Sequence, residues 1–145
     1  MSGAESPATR AAVAAWLAHA DDDRRSAVLC LAADPPLPGI AAFHCQQAVE
    51  KLLKALLVHV SVSFRKTHSL VELGDAVAVH FPNLADTICR AETITFWGVA
   101  YRYPAEESPE DFPNANAFAD ALSIIDRLCE TVRPFATPTN DHAPQ

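Results

Sequence analysis

Glycine is scarce in this 145-residue chain, with four in all, and none stands next to another. That scarcity excludes a Gly-rich phosphate loop, and with it the common nucleotide-binding and kinase-type motifs. Aromatic side chains make up 8% of the residues. Val, Ile and Thr do not alternate with polar residues, which counts against a sandwich or barrel. Basic residues are outnumbered, 11 Lys and Arg against 18 Asp and Glu, for a formal charge of −7. The molecule as a whole therefore repels nucleic acid and anionic membranes, so any such binding must be local. The cysteines, Cys30, Cys45, Cys89 and Cys129, are spread singly, without zinc or redox spacing. Each lies in an apolar stretch and reads as a reduced packing residue. The most apolar run, Leu52 to Val62, is broken by Lys54, His59 and Ser61 and is too short to cross a bilayer. The amino end has no basic start and no apolar run of signal-peptide type, so a soluble, cytoplasmic protein without a membrane partner is expected.

Alanine is abundant. There are 27, and Ala is the residue that costs least to place in a helix. Half of the residues are hydrophobic and a fifth are charged, enough apolar material for one domain with a real core. The expected fold is all-α, a five-helix up-and-down antiparallel bundle. Residues 1–8 and 136–145 are expected to be flexible ends around a helical domain over 9–135.

Apolar residues recur at helical spacing in each helix. Val13, Trp16, Leu17, Ala20, Ala27, Val28 and Leu31 form the stripe of the first, which must stop by Asp34 because Pro35, Pro36 and Pro38 follow. Within it, Asp21, Asp22, Asp23, Arg24 and Arg25 read as a solvated face. The second helix, from about Ile40 to Val60, is apolar on more than one side, which suits a bundle centre or a subunit interface. Ser69 to Glu72 has the spacing of a capping box and marks a third helix from about Leu70 to His80. A fourth restarts at Leu84 and runs to Pro104, and the last covers about Ala115 to Val132.

Three constellations can carry chemistry. From Lys51 to Val71 there are four basic residues, Lys51, Lys54, Arg65 and Lys66, with His59 and His68, and no acid. This is either an anion site or a solvated face whose acids lie on neighbouring helices. His44, Gln47, Lys51 and Lys54 stand at successive steps of three or four and share one polar seam, which either holds a ligand or satisfies itself between helices. Tyr101-Arg102-Tyr103-Pro104 offers a guanidinium between aromatics, fit to clamp phosphate or stack on a base, or to cap its own helix. His19, His59 and His80 look isolated. No His-x-x-x-His or Glu-x-x-His pair exists, so neither a metal nor a cofactor is expected.

Phe43-His44-Cys45-Gln46-Gln47-Ala48-Val49-Glu50-Lys51 with Lys54-Ala55-Leu56-Leu57, then Lys66-Thr67-His68-Ser69-Leu70, then Arg102-Tyr103-Pro104, resemble the HEPN family, the higher eukaryotes and prokaryotes nucleotide-binding domain. The resemblance runs in order from about Trp16 to Val132. It implies a four-helix HEPN-like core that pairs into a homodimer, often encoded beside a minimal nucleotidyltransferase as half of a toxin–antitoxin pair. Some members are metal-independent ribonucleases in which an Arg is followed a few residues later by a His. Here Arg102 carries over and the His does not, since none follows before His142. Arg alone can stabilise charge but cannot shuttle a proton at neutral pH.

The expected function is a dimeric binding module for nucleotide, RNA or a nucleotidyltransferase-like partner. Its ligand residues are expected to be His44, Gln47, Lys51, Lys54, Lys66, His68, Arg102 and Tyr103. The alternatives are a ribonuclease toxin using Arg102 with a histidine from elsewhere, such as His44 or His68, and a dimeric scaffold without catalysis. The second or fourth helix is expected in the dimer interface. The cationic groups are expected to gather beside Arg102.

Overall fold

The computed structural model describes residues 6–101 and 112–137. Five α-helices account for most of them: α1 over Pro7–Ala32, α2 over Pro38–His59, α3 over Leu70–His80, α4 over Ala85–Glu92 and α5 over Ala115–Ala136. Short 3-10 turns cover Pro82–Leu84 and Thr95–Gly98. No strand occurs among the described residues, and no helix among them is long and apolar enough to cross a membrane.

Helix α1 begins two residues inside the segment expected to be loose. The Ser6 side chain accepts from the Thr9 amide, and Pro7 fills the first turn, where its missing N–H costs nothing. Helix α2 sits at the centre, with Leu52, Leu53, Leu56 and Leu57 all fully buried against the other helices. Each Leu at such a position is worth about 2–5 kcal/mol against Ala. Most of the apolar surface of α2 is thus consumed inside the chain's own core, while Ile40 near its start stays exposed.

The directions follow from the contacts. Asp23 meets His44 and Trp16 meets Lys54, so α1 and α2 are antiparallel. Arg24 meets Asp126 and Arg10 meets the Pro134 carbonyl, so α5 also opposes α1. The expected alternation is refined at one step. The connector from Val60 to Ser69 returns along α2, because His68 lies beside Gln46 and Glu50, whereas Phe81 and His59 both pack on Phe135. Helices α2, α3 and α5 therefore run one way, and α1 and α4 the other.

Ser61 makes that return possible. Its φ is 58°, and Val62 donates to Leu57 O at 2.9 Å while Ser61 donates to Val58 O at 3.1 Å, the two bonds of a left-handed helix terminus. Ser69 caps α3 by accepting from the Glu72 amide, but the reciprocal half of the box is absent: Glu72 pairs with Arg65, and the Ser69 amide donates to Thr67 Oγ1. Helix α4 is shorter than the spacing predicts. It ends at Glu92, and the chain continues as the Thr95–Gly98 turn rather than running helical to Pro104. Against α3 it packs closely at Gly74, where a Cβ would stand 2.6 Å from Ile88 Cγ2.

Of the cysteines, Cys45 and Cys129 are buried, Cys30 is half-buried and Cys89 is exposed, and all are free. The packing role expected of all four fails for Cys89, which occupies the outer face of the short amphipathic α4.

Candidate functional site

His44, Gln47, Lys51 and Lys54 line one side of α2 as their spacing requires, yet two carboxylates divide the seam. The first is Asp23, 8% exposed, whose Oδ1 lies 2.8 Å from His44 Nδ1 and whose Oδ2 accepts from Lys51 Nζ at 2.5 Å. Asp23 was expected on a solvated face, and that reading is corrected. It stands three residues after Ala20 and four before Ala27, both fully buried, so helix geometry turns it inward. Desolvating a carboxylate is tolerable there because it gains a lysine and an imidazole. Arg24, from the same charge run, forks onto Asp126 of α5 at 2.7 and 3.0 Å, which raises its guanidinium pKa.

The second carboxylate is Glu50, 3% exposed, within α2 itself. Its Oε1 lies 2.7 Å from His68 Nδ1, and its Oε2 lies 3.4 Å from Lys54 Nζ. Lys54 is also nearly buried, with its ammonium 5.6 Å from the Trp16 ring centre and 5.9 Å from that of Phe64. Aromatic faces stabilise a cation in such a setting. Arg65 is likewise paired, by two bonds of 2.6 and 2.8 Å to Glu72, which hold that carboxyl below its usual range.

Of the basic cluster, then, Lys51, Lys54 and Arg65 are neutralised by acids outside the Lys51–Val71 stretch. Lys66 is exposed and has no ion pair among the described residues. His68 presents its ring outward, its side chain 76% exposed although Glu50 holds one nitrogen.

Gln47 and His68 meet at a cleft of about 130 Å³ between α2 and the Thr95–Gly98 turn, which Phe43, Gln46, Thr95, Gly98 and Val99 complete. Gln46 is fully buried beneath it. Its Nε2 donates to the His68 carbonyl at 3.2 Å, and its Oε1 accepts from Gln47 Nε2 at 2.7 Å. Gly98 is what lets the turn rest on this amide, since a Cβ there would stand 3.0 Å from Gln46 Oε1. The role of Gln46 was not foreseen, although its spacing from Ala42 and Val49 places it on the buried stripe of α2. The contribution of Thr95, Gly98 and Val99 had no signal in the sequence, because it depends on α4 ending early.

Arg102 and Tyr103 lie outside the described residues, so the expected gathering of cations beside Arg102 falls there too. Their described flanks stand near the start of α2. The Tyr101 and Phe112 rings are 5.4 Å apart, and both press against Gly39. Partial burial raises the Tyr101 pKa. Among the isolated histidines, His59 stacks on Phe135 at 3.6 Å, while His19 and His80 are exposed. Among the described residues no group of three or more His, Cys, Asp or Glu is arranged to hold a metal ion.

The model of the HEPN domain family matches residues 13–134, most of the chain. No curated protein and no solved structure matches it.

Proposed function

Because this chain belongs to the HEPN domain family, we propose that it is a nucleotide- or RNA-binding module that takes its ligand at the cleft of Gln47 and His68. The observation that carries the reading is the cleft itself. It is the place where a family-motif amide, an exposed imidazole and an aromatic wall converge, with exposed Lys66 two residues from His68. In this proposal Lys66, exposed and without an ion pair among the described residues, is the cation that a phosphate beside the cleft meets. Arg102 and Tyr103 extend the site in this proposal. Lys51, Lys54 and His44 hold the two buried carboxylates and support α2 beneath it.

The test is titration of ATP and a short RNA at two salt concentrations, with the unaltered chain and with Lys66→Ala/His68→Ala. The double variant should weaken binding and flatten the salt dependence. Unchanged binding would remove this surface from the site.

The proposal includes a homodimer and a minimal nucleotidyltransferase as partner, of the toxin–antitoxin type. Leu37, Ile40 and Phe112 remain exposed around Gly39, an apolar patch suited to a second copy. Sedimentation of Ile40→Glu should shift a dimer to monomer; an unaltered chain that sediments as a monomer at micromolar concentration contradicts the dimer.

One observation favours a second reading, a metal-independent ribonuclease. A buried carboxylate on Nδ1 of an exposed imidazole fixes the tautomer and leaves Nε2 to move a proton, the group that Arg102 lacks. RNA cleavage lost in both His68→Ala and Arg102→Ala supports it; cleavage that survives either change removes that residue.

A further inference from the structure

Resting on the nucleotide-binding reading above, we propose that Gln47 selects the base, and that the cleft between α2 and the Thr95–Gly98 turn takes an adenine ring whose N6 and N7 edge pairs with the Gln47 amide.

The orientation of that amide follows from a chain of donors and acceptors with one consistent assignment. The His68 backbone carbonyl can only accept, so the Gln46 atom 3.2 Å from it is the NH2 group. Gln46 therefore turns its Oε1 towards Gln47, and the Gln47 atom 2.7 Å away must be its NH2. Gln46 is fully buried, so this orientation is held from inside the core rather than by solvent. Gln47 keeps one N–H and its Oε1, which accepts no bond among the described residues. In this proposal the N–H that points away from Oε1 makes the Gln46 bond, which leaves the other N–H and Oε1 side by side, the complement of adenine's N6 amine and N7. Guanine shows two acceptors on the same edge and cannot satisfy both.

The surroundings fit a flat ring. Phe43 stands one turn before Gln47 on the same face of α2 and contributes aromatic carbon to the lining of the cleft. Val99 adds apolar lining, and Gly98 adds no side chain that would fill the space. At about 130 Å³ the cleft is well below the roughly 300–1,000 Å³ of a site that encloses a whole drug-sized ligand. It holds a ring and leaves sugar and phosphate outside, where exposed His68 lies on the rim.

The experiment is calorimetric titration of the full chain with AMP, GMP, 7-deaza-AMP and ribose 5-phosphate. AMP should bind about tenfold or more tightly than GMP and than 7-deaza-AMP, which lacks the N7 acceptor. Gln47→Met, which keeps the length and removes the amide, should bring AMP down to the affinity of GMP. That variant also takes a donor from buried Gln46, so the 7-deaza comparison, made on the unaltered protein, stands independently of its folding. Equal affinity for AMP and GMP, or for AMP and 7-deaza-AMP, overturns base selection by Gln47 while leaving nucleotide binding in place. If only ribose 5-phosphate binds, or none of the four, both this inference and the nucleotide reading fall.

Discussion

Glu50 and His68 are hydrogen-bonded at 2.7 Å, although the Glu50 side chain is 4% exposed and that of His68 76%. One buried carboxylate thus serves two partners from opposite sides, the Lys54 ammonium from within and the His68 imidazole from the surface. Removing it strands a lysine that is 7% exposed. Glu50→Ala should cost about 3–5 kcal/mol in chemical unfolding, because an unpaired buried charge is left behind. Glu50→Leu/Lys54→Met, which removes both charges and keeps the volume, should cost clearly less than Glu50→Ala alone. A double variant as unstable as the single one would show that the charges are not what the core depends on.

Asp23 neutralises Lys51 at 2.5 Å and binds His44 with its other oxygen. Asp23→Asn should therefore free a cation on α2 and tighten RNA binding at low salt, with a steeper salt dependence than the unaltered chain. It should also lower stability by about 1–3 kcal/mol, since the pair is mostly desolvated. Lys51→Ala should weaken RNA binding less than Lys66→Ala does. Filter binding across a salt series measures both effects, and the reverse order for the two lysines would return Lys51 to the ligand surface.

Ser61 adopts a left-handed conformation that glycine takes freely and other residues take at a cost of about 1–2 kcal/mol. Glycine is also more flexible in the unfolded chain, which offsets part of the gain. Ser61→Gly should raise stability by about 0.5–1 kcal/mol, seen as a higher denaturant midpoint at unchanged slope, and Ser61→Val should lower it.

Burial pushes the Cys45 thiol up to about 12 and the Cys129 thiol to about 11. In the native chain both stay protonated at pH 8, so a thiol reagent should modify exposed Cys89 first and these two only on unfolding. Stability has a matching dependence on pH. The folded state holds the Cys45 proton above pH 9 while the unfolded chain releases it, so this contribution is fully present below the ordinary thiol pKa and declines as pH rises from about 9 to 12. Cys45→Ala should lose less stability than the unaltered chain between pH 8 and 10.5. Parallel losses would show that Cys45 contributes nothing to the alkaline slope.

Much of the fold was legible because helices report themselves through local spacing. The stripes of α1 and α5, the prolines after α1 and the Ser69 cap of α3 each involve residues within a few positions of one another. Asp23 and Gln46 were legible in principle, since both sit at helical intervals from buried alanines, but a polar residue on an apolar stripe does not name its partner. The length of α4 was not legible: the chain from Thr93 to Tyr101 keeps apolar spacing, yet the turn at Thr95–Gly98 packs against α2 and Gln46 instead of extending the helix.

Composition and periodicity determined that the chain is helical, where the helices begin, and which faces are apolar, because those are matters of backbone propensity and side-chain spacing. The family motif marked α2 and the Lys66–Leu70 connector as the polar centre. Only the tertiary structure decided how the charges there are used. Whether Lys51 meets a ligand or a carboxylate depends on Asp23, which packing brings to it from 28 residues away, and such a contact is invisible to spacing along the chain; the Glu50–Lys54 pair, four residues apart on one helix, is visible there.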